Sequence, residues 1–170
     1  MNATKKEELT IVKRVRDNKY NCIDANGKIL LEQWYDWVSD FYGEVAVVVR
    51  GNGDHNFINK QGKILSEQWF EWADDFKDGF ARAKREDGKY NLIGENGKFR
   101  SEQWFDWIGD FYDEFAVVKR ENYEYNYIDA NGKILSNEWF KFVRDFSEGF
   151  GEVQRTNSEW AKIDKNGKII

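Results

Sequence analysis

Proline is absent from all 170 residues, and cysteine, histidine and methionine occur once each. Without proline, the turns must be made by glycine and asparagine, which tolerate the backbone conformations that turns require. A lone Cys22 excludes an internal disulfide and a thiolate metal cluster. A lone His55 leaves a single base for any Ser–His or Cys–His arrangement. No apolar run approaches the ~20 residues of a membrane-spanning helix, and no hydrophobic leader follows Met1. The expected location is cytoplasmic, or exported if a signal segment was removed. Cationic surplus is missing too: 26 Lys and Arg face 31 Asp and Glu, for a net charge of −5. Nucleic-acid binding needs clustered basic surface to displace counterions, so that class is set aside. What the chain has in quantity is aromatic surface, 17 % of residues with eight Trp, so it must fold to bury it.

Its organisation is a strict period. Gly27, Gly62, Gly97, Gly132 and Gly167 recur every 35 residues without insertion or deletion, each followed by lysine. Trp34, Trp69, Trp104 and Trp139 keep the same step, as do Asn21, Asn56, Asn91 and Asn126. Arg50, Arg85, Arg120 and Arg155 keep it as well. Self-similarity of this kind marks a repeat architecture. Residues 1–8 read as a polar tail and 9–170 as one repeat domain of five units.

Each unit divides into four pieces. A strand such as 115–120 carries small residues on one face, at Ala46, Ala81, Ala116 and Gly151, which implies close approach by a neighbour. A second strand, 125–129, alternates Asn126 and Ile128 with Tyr125 and Tyr127. The turn 129–132 places Gly132 where a hairpin needs a left-handed residue. A short third strand, 133–135, completes a three-stranded antiparallel meander. The segment 101–111 fits a helix, because Trp104, Phe105, Trp107, Ile108 and Phe111 share one arc at ~100° per residue. Ser66, Ser101 and Ser136 stand where its N-cap would lie. The predicted fold is therefore α+β and β-rich: five meanders joined by four short amphipathic helices. An open stack is favoured over a closed five-bladed ring.

Little of this points to catalysis. No spaced set of ligands supplies a metal site, no glycine-rich loop suits a phosphate, and no cofactor is implied. The recurring Asp40, Asp75, Asp110 and Asp145, each ten residues before an arginine, read either as an acid–guanidinium pair or as structural ion pairs. Fourfold recurrence favours the structural reading. The tryptophans Trp34 and Trp37, with Phe41, have core spacing first and ligand spacing second. Tyr20, Tyr90, Tyr125 and Trp160, which alternate with polar or small residues in the second strand, are the candidates for ligand contact.

The segments 76–81 (Phe-Lys-Asp-Gly-Phe-Ala), 89–93 (Lys-Tyr-Asn-Leu-Ile) and 95–98 (Glu-Asn-Gly-Lys) resemble the WG repeat of bacterial proteins. So do 146–150 (Phe-Ser-Glu-Gly-Phe) and 160–168, from Trp160 to Lys168. The likeness runs from about residue 9 to 170, although the Trp-Gly dipeptide is replaced by Tyr-Asn, His-Asn or Trp-Ala. The resemblance implies a β-rich domain with a binding role and brings no catalytic residues. The expected function is a noncatalytic protein-interaction module, with carbohydrate or cell-envelope binding through repeated aromatics as the alternative.

Overall fold

The computed structural model describes residues 9–170. The expected polar tail, 1–8, lies outside the described residues. Strands β1 (Thr10–Arg14) and β2 (Lys19–Ile23) form a two-stranded sheet. Four three-stranded antiparallel meanders follow. They are β3 (Trp37–Val38), β4 (Val45–Val49) and β5 (His55–Asn59); then β6 (Trp72–Ala73), β7 (Phe80–Lys84) and β8 (Tyr90–Gly94). The third is β9 (Trp107–Tyr112), β10 (Phe115–Arg120) and β11 (Glu124–Asp129), and the fourth β12 (Phe142–Val143), β13 (Phe150–Gln154) and β14 (Trp160–Asp164). The chain forms two compact units, one running through Ala81 and including Glu95–Lys98, the other Arg82–Gly94 with Phe99–Ile170.

The four amphipathic helices are not formed; the described residues contain no α-helix and only a one-turn 3₁₀ segment, Glu121–Tyr123. The aromatic segment is instead a stapled turn that leads into the first strand of the next meander. Asn91, fully buried, donates from Nδ2 to the carbonyls of Ser101 at 2.9 Å and Gln103 at 3.1 Å. Its Oδ1 accepts from the N–H groups of Leu92 at 2.7 Å and Ser101 at 3.3 Å. Asn126 does the same to Ser136 and Glu138, Asn56 to Ser66 and Gln68, and Asn21 to Leu31 and Gln33. Carbonyls committed to a buried amide cannot accept the i+4 bonds a helix needs. The serines do cap, but they cap this turn, as when Gln103 N–H donates to Ser101 Oγ at 3.2 Å.

Beyond the staple the chain is extended, and Phe105 N–H donates to Tyr90 O at 3.0 Å. Burial here follows no strict alternation: Phe105 and Ile108 are buried, while Trp107, two residues after Phe105, is exposed. The predicted third strand is corrected as well. Residues 133–135 contribute one isolated bridge, Ile128 to Ile134, and the third strand of each meander comes from the aromatic segment.

The hairpin turn is as expected, with Gly132 at φ +84° and Asp129 Oδ1 accepting from Asn131 and Lys133 N–H. Gly132 has a second duty. A Cβ there would stand 2.2 Å from the carbonyl oxygen of Arg100 in the preceding repeat. At Gly27, φ is also positive but nothing lies within 4 Å. The core lies between successive repeats in each unit: Cys22, Leu31, Tyr35, Val38, Ala46, Val48 and Ile58 in the first, Phe115, Val117, Tyr127, Phe140, Phe146, Val153 and Ile163 in the second.

Two stability measurements follow from these contacts. Asn126→Ala leaves two part-buried carbonyls and two backbone N–H groups without their partner, so denaturant unfolding should show a loss of about 3 kcal/mol. Gly132→Ala should cost about 1–3 kcal/mol more than Gly27→Ala, because strain at positive φ is joined by a backbone clash. Equal losses at the two glycines would mean that the repeats do not approach this closely.

Candidate binding surface

Four tryptophans are claimed by arginines. The guanidinium carbon lies 4.3 Å from the ring centre for Arg14 on Trp34, 4.3 Å for Arg50 on Trp69, 4.0 Å for Arg85 on Trp104 and 4.1 Å for Arg120 on Trp139. These rings are half-buried, and planar guanidinium stacking explains why both residue types share the period. The same arginines pair with acids close in sequence: Arg50 with Asp54, Arg85 with Asp87 and Arg120 with Glu124. Arg155 pairs with Glu138 through two 2.9 Å bonds. Asp110 meets Arg82 instead, at 3.1 Å, so the expected pairing of each aspartate with the arginine ten residues on is not the arrangement found.

The other aromatics form exposed rows. In the first unit Tyr20 meets Trp37 edge-on, ring centres 5.3 Å apart, with the Lys13 ammonium 5.4 Å above the tyrosine. Trp37 lies across from Val49, and Val49 across from His55. Trp37 is 50 % exposed and Trp72 38 %. In the second unit Lys84 lies over Tyr90 at 5.9 Å. Trp107, Lys119 and Tyr125 stand side by side on β9, β10 and β11. Tyr125 stacks on Phe142, ring centres 6.3 Å apart at 18°, and Phe142, Gln154 and Trp160 continue across the next meander. The Arg144 guanidinium stands 4.9 Å from the Trp160 ring. Trp107 is 43 % exposed and Trp160 48 %.

Of the four residues singled out from the sequence, Tyr20, Tyr90 and Tyr125 are half-buried and Trp160 is exposed. All four belong to these rows. Sequence reasoning assigned Trp37 and Trp107 to a core and so missed two strongly exposed members. No local signal marks them: the buried Tyr35 and Phe105 lie two residues earlier, the spacing of a single strand face.

Reactive groups are sparse around the rows. The Cys22 thiol is buried, and burial pushes it up to about 11, which leaves no thiolate near neutral pH. Burial lowers the His55 imidazole below its ordinary value, and its Nδ1 is buried without a partner. Among the described residues, no three His, Cys, Asp or Glu side chains stand together so as to hold a metal ion. No helix among them is long and apolar enough to cross a membrane.

The exposure pattern has a direct optical test. Acrylamide quenching should resolve two tryptophan populations. Replacing Trp37, Trp72, Trp107 and Trp160 together by Phe should remove the accessible one and leave the arginine-covered rings.

No curated protein matches the chain. Among solved structures, the computationally designed Ika8 protein aligns at a TM-score of 0.42 and 14 % identity, over 99 % of this chain and 59 % of that one. BamB from Moraxella catarrhalis aligns at 0.41 and 11 %, over 95 % and 56 %. The WD40 β-propeller domain of Doa1 aligns at 0.39 and 10 %, over 98 % and 69 %. This chain thus spans under two thirds of the first two, and TM-scores of this size carry no inference about architecture or role. The family model described as WG containing repeat matches residues 22–53, 57–90 and 92–123, more than half of the chain. With its 35-residue period and its recurring β-meander, the chain belongs to the WG-containing repeat family.

Proposed function

We propose that this chain is a noncatalytic binding module whose partner is a protein, held by the exposed aromatic rows. The supporting observation is that Trp37, Trp72, Trp107 and Phe142 are 38–50 % exposed, while Phe57, Phe70, Phe105 and Phe140 are no more than 1 % exposed. A fold able to bury so many rings completely leaves these others substantially in water. Trp and Tyr anchor protein interfaces because each buries a large area with few rotatable bonds, and Arg because its planar guanidinium stacks and donates several hydrogen bonds. Ion pairs border the rows, Lys19 with Asp36 and Lys89 with Asp106, both at 2.5 Å. They supply the polar rim that such an interface requires. A motif that recurs in equivalent settings is suited to repeated contact with one long partner, where weak sites sum.

Carbohydrate binding is the second reading, favoured by the exposed ring of Trp107. Against it, the rings of Tyr20 and Tyr90 already carry lysine ammonium groups and Tyr125 is stacked on Phe142. Those faces are not free to receive a sugar.

Fluorotryptophan labelling followed by ¹⁹F NMR separates the two. Lysate of the producing organism should perturb the exposed resonances, and protease treatment of the lysate should abolish the effect. Trp37→Ala with Trp107→Ala should weaken capture of the partner about tenfold or more. Those changes should cost stability far less than Phe105→Ala, for which about 3–5 kcal/mol is expected. An effect that survives protease and is reproduced by a purified glycan would overturn the protein reading.

A further inference from the structure

Tyr123 is a large ring on a strained piece of backbone. It stands at the tip of the β10–β11 hairpin with φ +59°, in the left-handed region, directly after Asn122 at φ +70°. A non-glycine residue at positive φ is uncommon, and a bulky one more so. The same turn position is Gly53 and Gly88 in the two preceding meanders and Ser158 in the next. Glycine takes this conformation freely, whereas a Cβ crowds its own backbone there. The ring gains little burial in return, being 73 % exposed. Folding would be better served at 123 by glycine, and the tyrosine asks for a reason outside the fold.

What the ring touches points to that reason. The Lys119 ammonium lies 4.1 Å from the Tyr123 ring centre. Lys119 is also the middle residue of the row across this sheet, opposite Trp107 on β9 and Tyr125 on β11. One cation thus stands among three aromatic side chains, of which Trp107 is itself 43 % exposed. No carboxylate among the described residues pairs with Lys119, and the acids closest in sequence are already held. Lys89 takes Asp106 and Glu121, and Arg120 takes Glu124. An exposed cation–π contact is weaker than the strain of a bulky left-handed residue, so it does not by itself account for Tyr123. The same contact strengthens once a partner removes water from it.

We propose that Lys119, Trp107, Tyr123 and Tyr125 receive an acidic side chain of a partner protein, one flanked by apolar residues. The inference deepens the binding role proposed above and rests on it. The carboxylate would pair with the Lys119 ammonium, and the flanking side chains would lie against Trp107 and Tyr123. Rings that exclude water around the pair strengthen it, because charges attract more in a medium less polar than water. Covering Lys119 without supplying an anion is costly, so a neutral segment of the same shape is rejected. A peptide is favoured over an acidic sugar because one face of Tyr123 already carries the lysine and Tyr125 is stacked on Phe142.

The probe is acetyl-Phe-Glu-Phe-amide, titrated into the full fluorotryptophan-labelled chain and followed at the Trp107 ¹⁹F resonance, which Trp107→Phe assigns. A saturable shift is expected, with acetyl-Phe-Gln-Phe-amide binding about tenfold or more weakly. Lys119→Arg should keep that preference and Lys119→Met should erase it. Tyr123→Gly should weaken binding of the acidic peptide about tenfold while raising the denaturation midpoint, an opposition that a structural role for Tyr123 does not produce. Absence of saturation up to about 10 mM peptide overturns the proposal. So does equal binding of the two peptides, or a midpoint that Tyr123→Gly fails to raise. A shift produced by glucuronate oligomers and not by the peptide would assign the site to acidic glycans and overturn it as well. If Lys119→Met captures the lysate protein as the parent does while Trp107→Ala does not, this inference fails and the role of the aromatic rows stands.

Discussion

The buried asparagine amide is the interaction on which the rest of each repeat depends. It is one of the few polar side chains in the core, and all of its hydrogen-bonding capacity is used on backbone groups. By taking the carbonyls of Ser101 and Gln103, Asn91 turns the chain and delivers Phe105 against Tyr90. Without it the aromatic segment would have unsatisfied backbone at the point where it must be buried, and helix would be its natural alternative. The same side chain thus selects strand over helix and sets the register in which the next sheet begins.

Once that turn is set, the places of the neighbouring side chains follow. Phe105 and Ile108 enter the core, Trp104 lies under Arg85, and Trp107 is turned outward beside Lys119. Packing between repeats is close enough that main chain meets main chain. Gly132 sits against the carbonyl of Arg100, and Gly151 lies beneath Tyr127, whose hydroxyl stands 2.6 Å from Arg144 O. Small residues at these points are the steric condition for stacking one meander on another. The outward tryptophans are the residue of this arithmetic, large rings for which the core has no room.

Repetition also makes departures informative. Where four repeats place a buried asparagine, the fifth has Ala161. Where they bury Phe57, Leu92 or Tyr127, the fifth exposes Lys162. These are polar replacements of an interface that elsewhere is apolar.

Much of the fold is written in the sequence because it is local. The period, the two main strands of each hairpin and the left-handed glycine at 132 depend on neighbours a few residues apart, and the structure has all of them. The aromatic rows were legible only in their inner half, through Tyr20, Tyr90, Tyr125 and Trp160. The other half was hidden because Trp104, Phe105, Trp107 and Ile108 share one helical arc, and local spacing carries no sign of the turn that breaks it. The choice was made by atoms ten to nineteen residues away: the Asn91 amide on Ser101 and Gln103, the Tyr90 backbone on Phe105, and the Arg85 guanidinium on Trp104. A hydrogen bond across that separation exists only once the hairpin has formed, and so only the tertiary structure could decide which tryptophans face water.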